Sequence, residues 1–569
     1  MNWKSILLVL AALAVGIGVL LNIATRTPAP PPHQVFINGD ILTMDADNRI
    51  VQALSTRDDR IEALGSTEDI MALVGDDTEV IDLRGRAVLP GFVDAHGHFP
   101  GSGMVVISAD LNSPPIGDKK TMAEVLAAVR EEAGRRDPGE WVTGFGYDDT
   151  LLAEKRHPTR AELDAISTEH PISIMHISGH MLVANSMALD MVGISADTPD
   201  PEGGVIGRRP GSNEPNGLLE ETARMPVINL MQDLRLTDTY RLFKYAAVEY
   251  LHRGVTTAQS GGVTPELAMG LSLFSKIGVV PQRLVLFPFE DAFGEDLLNG
   301  EFDAGKYATD RVHVGPVKLV ADGSIQGYTG YLSHPYHVPY HGDEDYRGYP
   351  SILRDKLFDK VGKLHKAGYQ LAIHGNGDES IEDILDAFEA AQQAYPVEDP
   401  RMVLIHSQMA REDQVQRMKD LGVTPSFFTA HTWYWGDRHR DIFMGPERAA
   451  VMSPHGWAKE YGVRASSHLD TPVVPMEPLQ AVWSQVYRQT FGGDVLGPEQ
   501  RIGVMEALRS VTIDAAWQVF KEDDLGSLEV GKLADLVVLS GNPLDDPENM
   551  RDLKVERTVI GGVSHYVRP

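Results

Sequence analysis

Along the chain, apolar residues gather in short dense runs separated by longer stretches with helical periodicity. Such runs lie at 89–95, 254–260, 282–288, 313–320, 370–373, 402–405, 423–428 and 463–467. Each is long enough for a buried strand and too short for a helix, and most steps between them are the size of one βα unit. Eight is the number that a closed parallel barrel needs. The pattern therefore predicts an α/β fold, a (β/α)8 TIM-type barrel over residues 89–518. The step from the first run to the second is far longer than the rest, which predicts an insertion at about 105–235. The link from the fourth run to the fifth carries Tyr328, Tyr331, Tyr336, Tyr340, Tyr346 and Tyr349 and reads as a lid.

Both ends of the chain change period. Residues 34–88 and 519–569 alternate apolar and polar positions between Asn-Gly and Gly turns, which predicts hairpins and one small composite β-sandwich. Ahead of it, Lys4 precedes an unbroken apolar run from Ile6 to Leu21, followed by the Pro-rich stretch PAPPP at 28–32. This reads as a membrane anchor or signal peptide at 1–24 and a linker at 25–33. An uncleaved anchor would leave Lys4 in the cytoplasm and the rest of the chain outside it, in the cell envelope; cleavage would make the protein secreted.

Composition narrows the chemistry. Hydrophobic residues make up 43% and charged residues 23% of the 569 positions, an ordinary globular balance. The net charge of -30 speaks against a nucleic-acid partner, because phosphate binding draws on clustered Lys and Arg. No cysteine is present, which excludes disulfides, thiolate nucleophiles and Cys-bound zinc. A homo-oligomer stays open.

His96 and His98 stand two apart where an apolar strand ends, so both face one side and a single ion can take both imidazoles. Two surface histidines in a loop would read the same way. His374, His406 and Asp470 follow later strands, at the ends where barrel enzymes place their sites. Lys318 sits inside an apolar strand, where an ammonium is costly to bury. Two readings remain open for it: a deprotonated lysine carboxylated to a carbamate, or an ion pair with Asp322. In the segment AHTWYWGDRH, His431 is placed to orient a substrate carbonyl and Trp435 to wall a pocket. His468 shares the facing of Asp470.

These segments resemble the amidohydrolase superfamily, and within it the family 3 branch of YtcJ-like proteins that includes N-substituted formamide deformylases. The resemblance runs from residue 34 to 569. It rests on VLPGFVDAHGH, GFGYDD, ISGHMLVANSMAL, GVTTAQ, VKLVADGS, HGNGD, HLDTPVVP and GSLEVGKLADLVVL. It implies that His96, His98, carboxylated Lys318, His374, His406 and Asp470 hold one or two divalent ions, with Lys318 as the bridge. Zinc is the first choice, with Mn, Fe and Co also compatible with N/O ligands. In such sites a hydroxide held by the metal attacks, and the last aspartate carries its proton to the leaving nitrogen. His180 and Asn185 match the family's insertion motif and are expected to reach over the pocket. The implied activity is hydrolysis of a C–N bond in a small amide, N-formyl or N-acyl amine, or cyclic amide. Heterocycle deamination, or a ligand-binding envelope protein without catalysis, is the alternative.

Overall fold

The computed structural model describes residues 29–231 and 234–569. Its centre is built from parallel strands at the places the apolar runs predict. One sheet takes Phe92–Val93, Val255–Val263, Arg283–Pro288 and Val312–Val314 in that order. A second takes Val317–Val320, Leu371–Gly375, Met402–His406, Val423–Phe427 and Ser466–Ser467. All neighbours in both are parallel. A parallel bridge between Phe289 and Lys318 joins the two sheets. At the other side, the N–H of Asp470 reaches the carbonyl of His96 at 3.2 Å.

Helices fill the intervals because their apolar residues repeat at helical spacing. Asp378–Ala394 turns Ile381, Ile384, Leu385, Phe388 and Ala391 inward, against Leu371, Ile373 and Leu404 of the strands. The opposite face of the strands carries a smaller cluster that includes Val285, Phe287, Ala372, Val403 and Ile405. Alternation therefore decides which residues leave the helix-covered face.

Two further sheets are built from the ends of the chain, the first from N-terminal strands alone and the second from both ends. One orders Arg60–Gly65, Ala53–Arg57, His33–Ile37 and Thr78–Asp82. The other orders Val563–Val567, Val555–Ile560, Leu536–Leu539, Ala87–Pro90, Asp40–Leu42 and Ile50–Val51. Phe36, Ile41, Leu54, Val88, Leu536, Val538 and Val559 form their common core. The expectation of a hairpin at Asn38-Gly39 is corrected. Its flanking strands belong to different sheets, and a side chain at Gly39 would meet Leu83 at 2.4 Å. Arg283 ties the central strands to this region through Asp535, with contacts of 2.8 and 3.1 Å.

Between Phe92–Val93 and Val255–Val263 stands a separate six-stranded sheet. Its order is Gly204–Arg208, Pro215–Glu221, Met181–Ala184, Ile172–His176, Val142–Tyr147 and Ala109–Asp110. The tyrosine-rich segment lies against it, where Tyr349 donates to Glu220 at 3.1 Å.

The expectation of membrane anchoring and an envelope location is corrected: among the described residues no helix is long and apolar enough to cross a membrane. The apolar run at 1–24 on which it rested lies outside the described residues.

Candidate metal centre

The ends of the parallel strands bring His96, His98, Lys318, His374, His406 and Asp470 together. For Lys318 and His374 the cause is simple alternation. Val317 and Leu319 pack under the helices, so Lys318 faces the other way; Leu371 and Ile373 do the same for His374. His406 breaks the rule. Val403 and Ile405 already face the inner side, so a regular strand would send His406 outward, but its backbone adopts φ 69°. Asp470 is likewise left-handed, at φ 54°. Such conformations cost roughly 1–3 kcal/mol each and persist where the surroundings over-determine them.

Asp470 is the hub. Its Oδ1 lies 3.2 Å from His98 Nε2 and 3.5 Å from His96 Nε2, and its Oδ2 lies 4.0 Å from His406 Nε2. Although buried, Oδ1 makes no well-directed hydrogen bond. One ligand atom each from His96, His98 and Asp470 falls within 4.8 Å of the others. Lys318 Nζ approaches His96 Nε2 at 3.2 Å. The His374 ring lies 4.6 Å from that of His406.

Three of the imidazoles, His96, His374 and His406, have a polar partner close to the far nitrogen. His96 Nδ1 meets Gln259 Oε1 at 2.7 Å, while the Gln259 amide donates to the carbonyl of Ala95 at 2.8 Å. With Gln259 Oε1 as acceptor, His96 carries its proton on Nδ1 and turns a bare Nε2 towards Asp470. Gly261 makes this possible, since a Cβ there would stand 2.2 Å from His96 Cε1. His374 Nδ1 lies 3.2 Å from Asp322 Oδ1. Asp322 also accepts backbone N–H groups from Asn376, Gly377 and Tyr331. It is therefore spent on the loop and on His374; an ion pair with Lys318 is not formed. Gln259 carried no signal beyond a polar residue in an apolar strand.

His468, expected to contact substrate, sits behind the centre instead. Its Nε2 meets His406 Nδ1 at 3.0 Å and its Nδ1 meets Ser426 Oγ at 3.0 Å, so both nitrogens are engaged. Replacing His468 with Phe, which keeps a ring but offers no nitrogen to His406, should weaken metal affinity about 10–100-fold, measured by competition with a chelator. Unchanged affinity would show that the His406 orientation does not depend on it.

Asn185 is not brought to the cluster. Its side chain caps the helix Ser186–Met191, accepts from the N–H of Ile172 and donates to the carbonyl of His170. His180 does approach, with its ring 5.0 Å from His374 and Nδ1 2.9 Å from Glu221 Oε2. Glu221, 41 residues from His180, was not singled out in the sequence. The His431 ring lies tilted against Trp435 at 4.8 Å, with Nδ1 at 3.3 Å from His439 Nε2. Trp435 donates its indole N–H to Asp148 at 3.1 Å, which fixes it between the strand ends and the insertion.

The electrostatics fit a cation. Burial pushes His96, His374 and His406 well below the ordinary imidazole value, so these rings are neutral and offer lone pairs. Burial pushes the Lys318 ammonium down to about 7, against the opposing charge of Asp470. Burial alone would raise Asp470, but His98 and the neighbouring imidazoles hold it well below the usual carboxylate range. Neutral imidazoles, an ionised carboxylate and a lysine near deprotonation form an N/O donor set suited to a divalent ion.

Comparison with known proteins agrees with this chemistry. Residues 79–566 match the Amidohydrolase family. N-substituted formamide deformylase of Arthrobacter pascens is 31% identical over 547 residues, spanning 94% of this chain and 98% of that protein. YtcJ of Bacillus subtilis (strain 168) is 28% identical over 557 residues, spanning 94% and 99%. A solved structure of a metal-dependent hydrolase from Pyrococcus horikoshii shares the fold, with TM-score 0.71 and 24% identity. The match covers 94% of this chain and 100% of that one.

Proposed function

The chain belongs to the amidohydrolase family, and from that premise we propose that the cluster around Asp470 releases an amine from an N-formyl or N-acyl amine, or opens a cyclic amide. The protein is a metal-dependent hydrolase acting on C–N bonds other than peptide bonds. The observation that carries the hydrolytic reading is the convergence of His96, His98 and Asp470 on one space, with Asp470 Oδ1 lacking a directed hydrogen bond. The name of the Arthrobacter relative supports an N-formyl amine as substrate.

His96, His98, His374, His406 and Asp470 would hold the ion, with zinc the first choice. Lys318, carboxylated, would join a second ion to the first. A divalent ion supplies Lewis acidity, polarising a carbonyl and making water acidic enough to ionise near neutrality. Asp470 takes the proton of the attacking water on a carboxylate oxygen and returns it to the leaving nitrogen. His431 orients the substrate carbonyl and Trp435 walls the pocket. Asp322, Gln259 and His468 keep the imidazoles in place.

We also read the two parallel sheets as one eight-stranded barrel over 89–518, with Val312–Val314 and Val317–Val320 as halves of its fourth strand. The composite region of 34–88 and 519–569 is then a separate sandwich. The bridge at Lys318 and the hydrogen bond from Asp470 to His96 support closure.

The test is a screen of N-formyl amines, N-acyl amines and cyclic ureides against metal-reconstituted enzyme, with amine, carboxylate and ammonia assayed separately. Release of an amine with its carboxylate, or opening of a ring, is expected. Ammonia release from an intact heterocycle would replace this reading with deamination.

A further inference from the structure

Glu221, where the strand Pro215–Glu221 ends, holds φ 47° and ψ −120°. An L-residue with positive φ normally settles at ψ of about +30 to +60°, as Arg488 does at ψ 37°. The conformation of Glu221 belongs to glycine, and Gly294 adopts it in this same chain, at φ 55° and ψ −126°. Strain of this kind at a non-glycine residue persists where the surroundings over-determine it, and it gathers at functional sites. Here the surroundings are those of one histidine. The buried side chain of Glu221 places Oε2 2.9 Å from His180 Nδ1, and its backbone N–H donates to the carbonyl of His180 at 2.9 Å. Oε1 is buried without a well-directed hydrogen bond. It has room because residue 323 is glycine, where a Cβ would stand 2.1 Å away. The carbonyl of Gly323 accepts from Asn376, whose Nδ2 lies 3.2 Å from His374 Nε2. With the His180 ring 5.0 Å from that of His374, this clamp stands against the metal centre.

Two plainer roles for the carboxylate fail. Glu221 precedes the turn Thr222–Arg224, but its side chain makes no capping hydrogen bond there. Arg224, three residues on, leaves its Nε without a partner instead of turning it to Glu221. The partner is His180. Burial alone would raise the Glu221 carboxyl, and His180 beside it holds it below the ordinary value, so it is ionised and can only accept. His180 Nδ1 therefore carries a proton. Its Nε2 has no partner among the described residues, and 14% of the side chain is accessible.

We propose that Glu221 is a positioning residue of the hydrolytic centre: its strained backbone aims the carboxylate that fixes the His180 ring, and His180 presents Nε2 to the substrate beside His374. This role rests on the hydrolytic reading of the centre and adds to it the pair of residues that the insertion contributes.

The test uses metal-loaded enzyme and the C–N substrate that the wild type cleaves. Glu221→Ala and Glu221→Gly both remove the carboxylate and should lower kcat/KM by about tenfold or more, with metal content unchanged. Glu221→Gln, which keeps an oxygen able to accept from Nδ1, should retain more of the rate. His180→Phe should fall as far as the alanine variant, and adding Glu221→Gly to it should lower the rate no further, because the carboxylate acts through the imidazole. Only glycine relieves the backbone, so Glu221→Gly should melt about 1–3 °C above Glu221→Ala although the two are equally impaired. Unchanged kcat/KM in the single variants, losses that multiply in the double variant, or metal lost in step with activity would overturn the positioning role while hydrolysis itself stood. An alanine variant as stable as the glycine variant would show that no strain is held at residue 221 and would overturn the proposal equally. If the wild type cleaves no C–N substrate, the hydrolytic reading falls and this role with it.

Discussion

Replacing Asp470 with asparagine should lower turnover by about a thousandfold while most of the metal stays bound. The side chain keeps its size and an oxygen that faces His96 and His98 but loses the basic site that holds a proton, and such general-base groups are worth about 10²–10⁴ in rate. The backbone should not object: Asp470 is at φ 54°, and asparagine is among the few residues that accept the left-handed region. The check is kcat on an N-acyl amine alongside metal content of the same preparation. Unchanged turnover would remove the proton-carrying role. Loss of metal in proportion to activity would make Asp470 a ligand only.

The second large effect is expected at Lys318. Substitution by alanine should cost a metal equivalent and about a hundredfold or more in activity, because the side chain sits among the ligands, 3.2 Å from His96 Nε2. It leaves a buried space lined by the inner face of the strands, large enough for a short carboxylic acid. Acetate or propionate should partly restore metal content and rate together. Full activity in the variant without added acid would remove the bridging role, as no anionic oxygen would then be needed. The alternative of a structural ion pair has lost its partner, since the Asp322 carboxylate is occupied by three backbone N–H groups and the approach of His374.

Much of this centre was legible because strand alternation is strict. Lys318 and His374 face inward for the same reason that their neighbours Val317, Leu319, Leu371 and Ile373 face the helices. His406 was found by its position at a strand end, but its facing was not, because it depends on a backbone rotation at φ 69°. His468 misled for the converse reason. Alternation turns it towards the centre, yet its nitrogens are engaged by His406 and Ser426. Asn185 looked chemical because its segment was familiar, and its three hydrogen bonds are those of a helix cap and sheet edge. Glu221 and Gln259 act through contacts made 41 and 163 residues away, which no local pattern records. Asn38-Gly39 carried a sound turn signal whose outcome, a crossing between sheets, depended on distant pairing.

The central claim is that hydrolysis depends on divalent metal held by this cluster. It is tested most directly by following metal content and N-acyl amine hydrolysis in one sample through chelation and stepwise reconstitution. The purified chain should hold one or two divalent ions, lose activity as they are withdrawn, and regain it in proportion as they return. A chain stripped of metal that still hydrolyses the amide, or a fully reconstituted chain that hydrolyses none, would contradict the account.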